Sequence, residues 1–516
     1  MKRALLLICV LAMPRLNAAE LILPKAAAKK VPAVIFVHWG LGDHHAFLDD
    51  ARTLARLGVA SLLIDAPFTR PGAKADEGED LRQCVREVRR EIDKLAARKD
   101  IDAARIGFVG LSYGAHVGAL LVPAEPRIRT YVLMGGLASN NDKKIEELDA
   151  ERFVKQPHKA PIFFQFARKD EYIDYAQATR FVEAASPPRV AKWYEGGHQF
   201  NESARRDRLG WLAAMLRFPL PDANYFAVGP SEAPAAELGR YAELSMFGAV
   251  IEVPGMQQVR VRRGIAYKGA LKFDLYTPFG LEHEPKLRVP AVVLISGQAG
   301  PQLMQHLRGV AFNTTLARAM TARTNRIVIV PDIRPTYTSL DDPKQENAAL
   351  ADVAGDLRDL FAYLRGHADE LQIDGDALAV VARSAGWSYG LNAALQGSPD
   401  FIKAVVLHYG QLSAEPLRGT GVSDELLPRF SPLELLKESK AFPPFLLVTA
   451  GHDFFYSASE VSAFLDAAKA KSAPVKHIHL ADGEHGFDSV NDYEESRDAL
   501  LQTFLFLREH LPIRRN

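Results

Sequence analysis

The chain repeats itself. Residues 31–40 read V-P-A-V-I-F-V-H-W-G and residues 289–298 read V-P-A-V-V-L-I-S-G-Q. Each is a continuous apolar run that ends in glycine-containing loop residues, as strands buried on both faces of a parallel sheet do. The correspondence then continues in order. A helical stretch follows (Phe47 to Leu57; Val310 to Ala322), then a second strand (Ala60 to Asp65; Arg326 to Asp332) and a long amphipathic helix (about 79–97; about 348–366). Next come I-G-F-V-G-L-S-Y-G-A at 106–115 and L-A-V-V-A-R-S-A-G-W at 378–387. P-I-F-F-Q-F-A-R-K-D at 161–170 answers P-F-L-L-V-T-A-G-H-D at 444–453, and A-K-W-Y-E-G-G-H-Q-F answers H-I-H-L-A-D-G-E-H-G-F. Strands alternating with helices indicate βαβ units, so the fold class is α/β: two tandem domains, each a mostly parallel, doubly wound sheet.

A length of 516 residues alone allows two large domains or three ordinary ones. The repeat selects two, expected at 20–218 and 251–516. The stretch F-P-L-P-D-A-N-Y-F-A-V-G-P-S-E-A-P opens a linker at 219–250. After it Q-V-R-V-R and A-L-K-F-D-L-Y-T-P alternate as two lead-in strands of the second domain. The first domain has little room for their equivalents. Residues 1–19 combine M-K-R, an apolar stretch and a small-residue end, the layout of a signal peptide cleaved near Ala18 or Ala19. An exported, periplasmic or secreted protein is therefore expected, with no membrane span. The two cysteines are Cys9, inside that leader, and Cys84, which sits at helical spacing and reads as a packed residue. Lys plus Arg and Asp plus Glu are each 63, and a zero balance removes the usual argument for a nucleic acid partner.

The chemistry sits at strand ends. G-L-S-Y-G places Ser112 in a sharp strand–turn–helix, with the Tyr113 N–H next to it for an oxyanion. A serine hydroxyl needs a base, and the base needs an orienting group. Asp170 and His198 each follow a later strand, at the ends where open α/β sheets place their sites. The second repeat has Ser384 in A-R-S-A-G, then Asp453 and His485. Ala382 stands where the first elbow glycine would be. Asp174 and Asp488 are the alternative acids.

At these motifs the sequence resembles the α/β-hydrolase superfamily in two consecutive copies. The first is similar to dienelactone-hydrolase-like or prolyl-peptidase-like members, from H-W-G-L-G, G-L-S-Y-G-A, A-R-K-D and G-G-H-Q-F. It carries Ser112 where dienelactone hydrolases use cysteine. The second resembles carboxylesterase and acyl-peptidase domains, from A-R-S-A-G-W, T-A-G-H-D and G-E-H-G-F. The resemblance implies an oxyanion hole of Tyr113 with Gly40 (or Trp39) in the first copy, and of Ala385 with Gln298 in the second.

The expected function is a serine hydrolase that cleaves carboxylic esters through an acyl-enzyme, needing no cofactor. Activity is expected to fall below about pH 6.5, where an ordinary histidine base is protonated. The expected substrate is a small-molecule or acylated-saccharide ester. A peptidase or amidase, an acyltransferase, and one silent binding or scaffolding domain are the rivals. The loop residues His38, Asp43, His44 and His45 lack regular ligand spacing, so no metal is expected. His116 and His452 are expected to be structural, Trp39 and Trp387 to border the two sites, and an insertion at about 412–441 to cover the second.

Overall fold

The computed structural model describes residues 19–25, 30–40, 42–70, 77–136, 147–220, 247–298, 301–336, 349–418, 422–439 and 441–514. Residues 1–18 of the expected leader, Cys9 included, and most of the expected linker lie outside the described residues. Two eight-stranded, mostly parallel sheets are present, as the repeat requires. By compactness the chain forms two units, one of residues 1–164, 173–187 and 215–219, the other of 165–172, 188–214 and 220–516.

In the first unit, β1 (Ala19–Ile22) runs antiparallel to β3 (Ala60–Ile64), so a short lead-in strand does fit where the sequence leaves little room for one. β2 (Val31–Val37) lies parallel between β3 and β4 (Ile101–Leu111), and β5 (Ile128–Met134) follows parallel to β4. The unit division falls inside β6 (Ile162–Ala167). Every residue of β2 and β3 is buried, which is why both read as unbroken apolar runs. Helix Glu77–Ala97 turns Leu81, Cys84, Val88, Ile92 and Leu95 inward at steps of three and four, the spacing of one helix face. Cys84 is thus a packing residue, and burial pushes its thiol up to about 12.

In the second unit, β7 (Arg189–Tyr194) pairs with the two-residue strand β16 (Asn491–Asp492). The other sheet runs β15-β14-β13-β12-β10-β11-β9-β8. β8 (Arg260–Lys268) and β9 (Leu271–Thr277) are the two expected lead-in strands, antiparallel to each other, and β9 is antiparallel to β11 (Ile327–Pro331). β10 (Val289–Ile295), β12 (Ile373–Arg383), β13 (Ile402–His408), β14 (Phe445–Ala450) and β15 (Val475–Leu480) complete it in parallel. Along β10, Val289, Ala291, Val293 and Ile295 enter one core, while Val292 and Leu294 enter the other. That is the two-residue period of a strand with helices on both faces.

Register is what positions the chemistry. Val37 pairs with Gly110, and Ile295 with Ala382, so the loop after β2 or β10 ends beside the turn after β4 or β12. Space at the first turn is minimal. A Cβ on Gly110 would lie 2.1 Å from the Gly114 carbonyl oxygen, and one on Gly114 would lie 2.0 Å from that of Val37. Backbone cannot yield as a flexible side chain can, so Gly110→Ala is expected to lower stability by about 2 kcal/mol or more. Urea unfolding checks this, and an unchanged midpoint would show that the turn tolerates a side chain.

Candidate active site

Ser384 stands between β12 and helix Gly386–Leu395 with φ +50°, a conformation rare for a residue with a side chain. A Cβ on Gly386 would lie 2.9 Å from the Ser296 carbonyl, so glycine is needed here as well. Ala382 in the first elbow position points into the core of the sheet and is fully buried. The hydroxyl of Ser384 lies 2.8 Å from His485 Nε2, and His485 Nδ1 lies 2.8 Å from Asp453 Oδ2. With Nδ1–H donated to the carboxylate, Nε2 is left to accept the serine proton. The Asp453 side chain is fully buried, whereas 22% of the imidazole stays exposed. The three residues therefore form one continuous hydrogen-bonded chain from the Ser384 hydroxyl at the cavity to the buried Asp453 carboxylate. Asp453, not Asp488, is the aspartate that meets His485 in it.

Asp488 has another partner. Arg383, the residue before Ser384, is buried and donates from Nη1 to Asp488 Oδ2 at 2.8 Å. The Tyr409 hydroxyl donates to the other Asp488 oxygen at 2.8 Å. Arg383 Nη2 reaches Ser296 Oγ at 3.0 Å and also Asn313 Oδ1. Burial alone would press the guanidinium down, but Tyr409 and Asp488 beside it hold it above its ordinary value. The group ties together the end of β12, the segment after His485, the end of β13, the loop after β10 and helix Ala311–Thr324. The sequence pointed to Asp488 only as a substitute acid and gave no signal for Arg383.

Two aromatic rings pack against the imidazole, Tyr409 at 4.9 Å and Phe455 at 4.5 Å between centroids. Tyr409 itself holds φ +39°. A cavity of about 840 Å³ opens at Ser384 and His485, within the range that holds a drug-sized molecule. Gln298 and Ala385, the expected oxyanion pair, both line it. The Gln298 side chain is engaged, donating to the Arg334 carbonyl at 3.1 Å and accepting from the Thr336 N–H at 3.1 Å. Trp387 lines the cavity as expected, and so do Leu417, Val422, Leu426 and Phe430 of the insertion.

The first constellation is divided by the unit boundary. Ser112 belongs to the first unit, where φ is +54° and its N–H donates to the Met134 carbonyl at 2.8 Å. Tyr113 follows as the first residue of helix Tyr113–Leu121, and Gly40 is exposed in the loop after β2. Asp170 and His198 belong to the second unit, where Asp170 carboxylate oxygens lie 2.9 and 3.0 Å from His198 Nδ1. Both side chains are almost wholly buried. Asp174 instead caps helix Tyr175–Ala184, in a reciprocal box with Gln177.

The loop histidines are accounted for locally. His38 Nε2 accepts from the Ala66 N–H at 2.9 Å, so its Nδ1–H donates to the Trp39 carbonyl at 2.7 Å. Burial holds its pKa below the ordinary value. His44 pairs with Asp65, and His45 with Asp43. His116 contacts the Leu148 carbonyl at 2.6 Å, and His452 stands 4.0 Å from Asp482. Among the described residues no group of three or more His, Cys, Asp or Glu could hold a metal ion. No helix among them is long and apolar enough to cross a membrane.

Residues 18–215 match the model of the Dienelactone hydrolase family. The match covers 198 of the 516 residues, and over that part the chain is similar to the family. No curated protein matches the chain. Similar solved structures include an esterase of Pyrobaculum calidifontis (19% identity, 48% of this chain and 85% of that one, TM-score 0.35). Esterase 2 of Thermogutta terrifontis gives 18% identity, 51% and 98% coverage and a TM-score of 0.37. EstE1, a carboxylesterase cloned from a metagenomic library, gives 21%, 54%, 98% and 0.38. Likeness of this degree says nothing about substrate.

Two outcomes follow from the buried groups. Asp488→Asn leaves Arg383 charged and uncompensated, and is expected to cost about 3 kcal/mol or more in urea unfolding. Arg383→Met with Asp488→Leu should recover most of it; a double variant as unstable as the single one would contradict this. His408 is fully buried, and burial pushes its pKa down to about 4. Its neutral form stabilises the fold above the ordinary value of about 6.5, and that contribution is lost as pH falls from there to about 4. His408→Gln should therefore lose less stability than wild type over that interval, and parallel stability curves would contradict it.

Proposed function

We propose that this chain, an α/β-hydrolase whose residues 18–215 are similar to the dienelactone hydrolase family, cleaves carboxylic esters at Ser384 by an acyl-enzyme route. The observation that carries the reading is the unbroken chain Ser384–His485–Asp453, with both links at 2.8 Å. His485 takes the serine proton as Ser384 Oγ attacks the ester carbonyl, and Asp453 holds the imidazole and balances its charge. The oxyanion that forms is assigned to the backbone N–H groups of Ala385 and Gln298, donors that need no reorganisation. His485 then returns the proton to the departing alcohol, and water releases the acid by the same steps.

Ser112, His198 and Asp170 are proposed as a second set of nucleophile, base and acid, with Tyr113 and Gly40 as its oxyanion donors. The paired Asp170 and His198 support it, as does the strained turn at Ser112. The proposed substrates are small-molecule or acylated-saccharide esters. Export to the periplasm or outside is proposed from the basic and apolar residues at 1–19.

Ser112→Ala protein is expected to retain hydrolysis of p-nitrophenyl butyrate, and adding Ser384→Ala should lower kcat at least about 10³-fold. Peptide p-nitroanilides should be much poorer substrates. A Ser112→Ala protein that had lost all ester hydrolysis, or a double variant as active as the single one, would refute the assignment of Ser384.

A further inference from the structure

Each triad aspartate is followed, two residues on, by an aromatic residue held in the same way. The Tyr172 N–H donates to Asp170 Oδ1 at 2.9 Å, and the Phe455 N–H donates to Asp453 Oδ1 at 2.9 Å. In both places the ring comes to rest on the histidine, 4.9 Å from His198 for Tyr172 and 4.5 Å from His485 for Phe455. Four residues after each aspartate a residue caps the next helix through a reciprocal box, Asp174 with Gln177 and Ser457 with Glu460. The local turn is thus the same, although D-E-Y-I-D and D-F-F-Y-S share little sequence.

These rings are not core residues. Tyr172 is 59% exposed and Phe455 is 47% exposed, in a molecule that buries most of its aromatic side chains. Phe455 borders the cavity, its carbonyl accepts from Gln411 Nε2 at 2.7 Å, and the ring of Phe454 lies 4.3 Å away. A large apolar surface kept partly open beside a reacting group marks a place for a ligand. The chemistry says which part of the ligand. In ester cleavage the alcohol leaves by taking its proton from the histidine, so it must lie within hydrogen-bond reach of His485 Nε2. A ring packed on that imidazole is positioned to touch the alcohol.

We propose that Phe455 is a specificity-determining residue of the Ser384 site, selecting esters whose alcohol half carries an apolar, preferentially aromatic, group. The proposal rests on the reading of Ser384 as the nucleophile. Among the described residues that line the cavity none carries a carboxylate, ammonium or guanidinium group, which suits an uncharged ester. Trp387, Leu426 and Phe430 remain as apolar walls for the acyl half.

The test uses full-length Ser112→Ala protein, so that only the Ser384 site is read. Methyl and benzyl butyrate have leaving alcohols of similar acidity and differ in the ring. Their kcat/KM values are expected to favour benzyl at least about tenfold, since each buried methylene-sized unit is worth roughly three- to fourfold. Phe455→Ala should cut that ratio to about threefold or less, chiefly through KM, while Phe455→Tyr keeps it. The ratio of benzyl butyrate to benzyl acetate reports the acyl half and should change less than about twofold in both variants. An unchanged benzyl-to-methyl ratio in Phe455→Ala, or an equal loss of both ratios, would overturn the proposal. If the Ser112→Ala protein hydrolysed none of these esters, the reading of Ser384 itself would fall, and the proposal with it.

Discussion

The buried pair of Arg383 and Asp488 is the interaction on which the second site depends. A guanidinium taken wholly out of water is tolerated only when its charge and its donors are matched. Asp488, Ser296 and Asn313 supply that match at the two Nη groups, while Nε has no hydrogen-bond partner, and Tyr409 completes the carboxylate. Ser296 and Tyr409 follow β10 and β13, Asn313 lies in helix Ala311–Thr324 and Asp488 in the turn of helix Phe487–Val490. Satisfying the charge therefore fixes the relative positions of the turn at Ser384, the loop after β10 and the segment that follows His485. Ser384 and Tyr409 both hold positive φ angles, and this network adjoins both strained positions. Breaking the pair should disturb geometry and stability together, which distinguishes it from an ion pair at the surface.

The repeat supplies a second constraint, the turn after each acid. One carboxylate oxygen is occupied by the N–H two residues on, which holds the carboxyl group in place for the imidazole. Local backbone thereby takes part in orienting each carboxyl group. Around it, the second histidine has two rings against it and a cavity of about 840 Å³. His198 has the Tyr172 ring against it, and its backbone N–H donates to Glu171 at 3.1 Å.

Much of the architecture was legible in the sequence because fully buried parallel strands leave continuous apolar runs. β2 and β10, β4 and β12, β6 and β14 were all found this way, as were the lead-in strands β8 and β9 from their alternation. The short β1 was not, since three half-buried residues and one exposed carry little pattern. Asp453 and His485, which the fold brings to Ser384, could be named in advance because the chemistry of a serine nucleophile prescribes their order and their place at strand ends. Arg383 was invisible because nothing local in A-R-S-A-G requires a cation; its reason for being there is an aspartate over a hundred residues later. Phe455 was invisible for a similar reason, since only the folded turn brings its ring onto the imidazole. β16, two residues long, has no periodicity to read, and its pairing with β7 exists only in the fold.

The central claim is that Ser384 is an activated nucleophile, and covalent labelling tests it most directly. Full-length protein treated with a fluorophosphonate, then measured by intact mass and peptide mapping, should carry the adduct on Ser384. Labelling should slow at least about 10²-fold in His485→Ala. An adduct confined to Ser112, or a Ser384 labelled as fast without His485 as with it, would contradict the account.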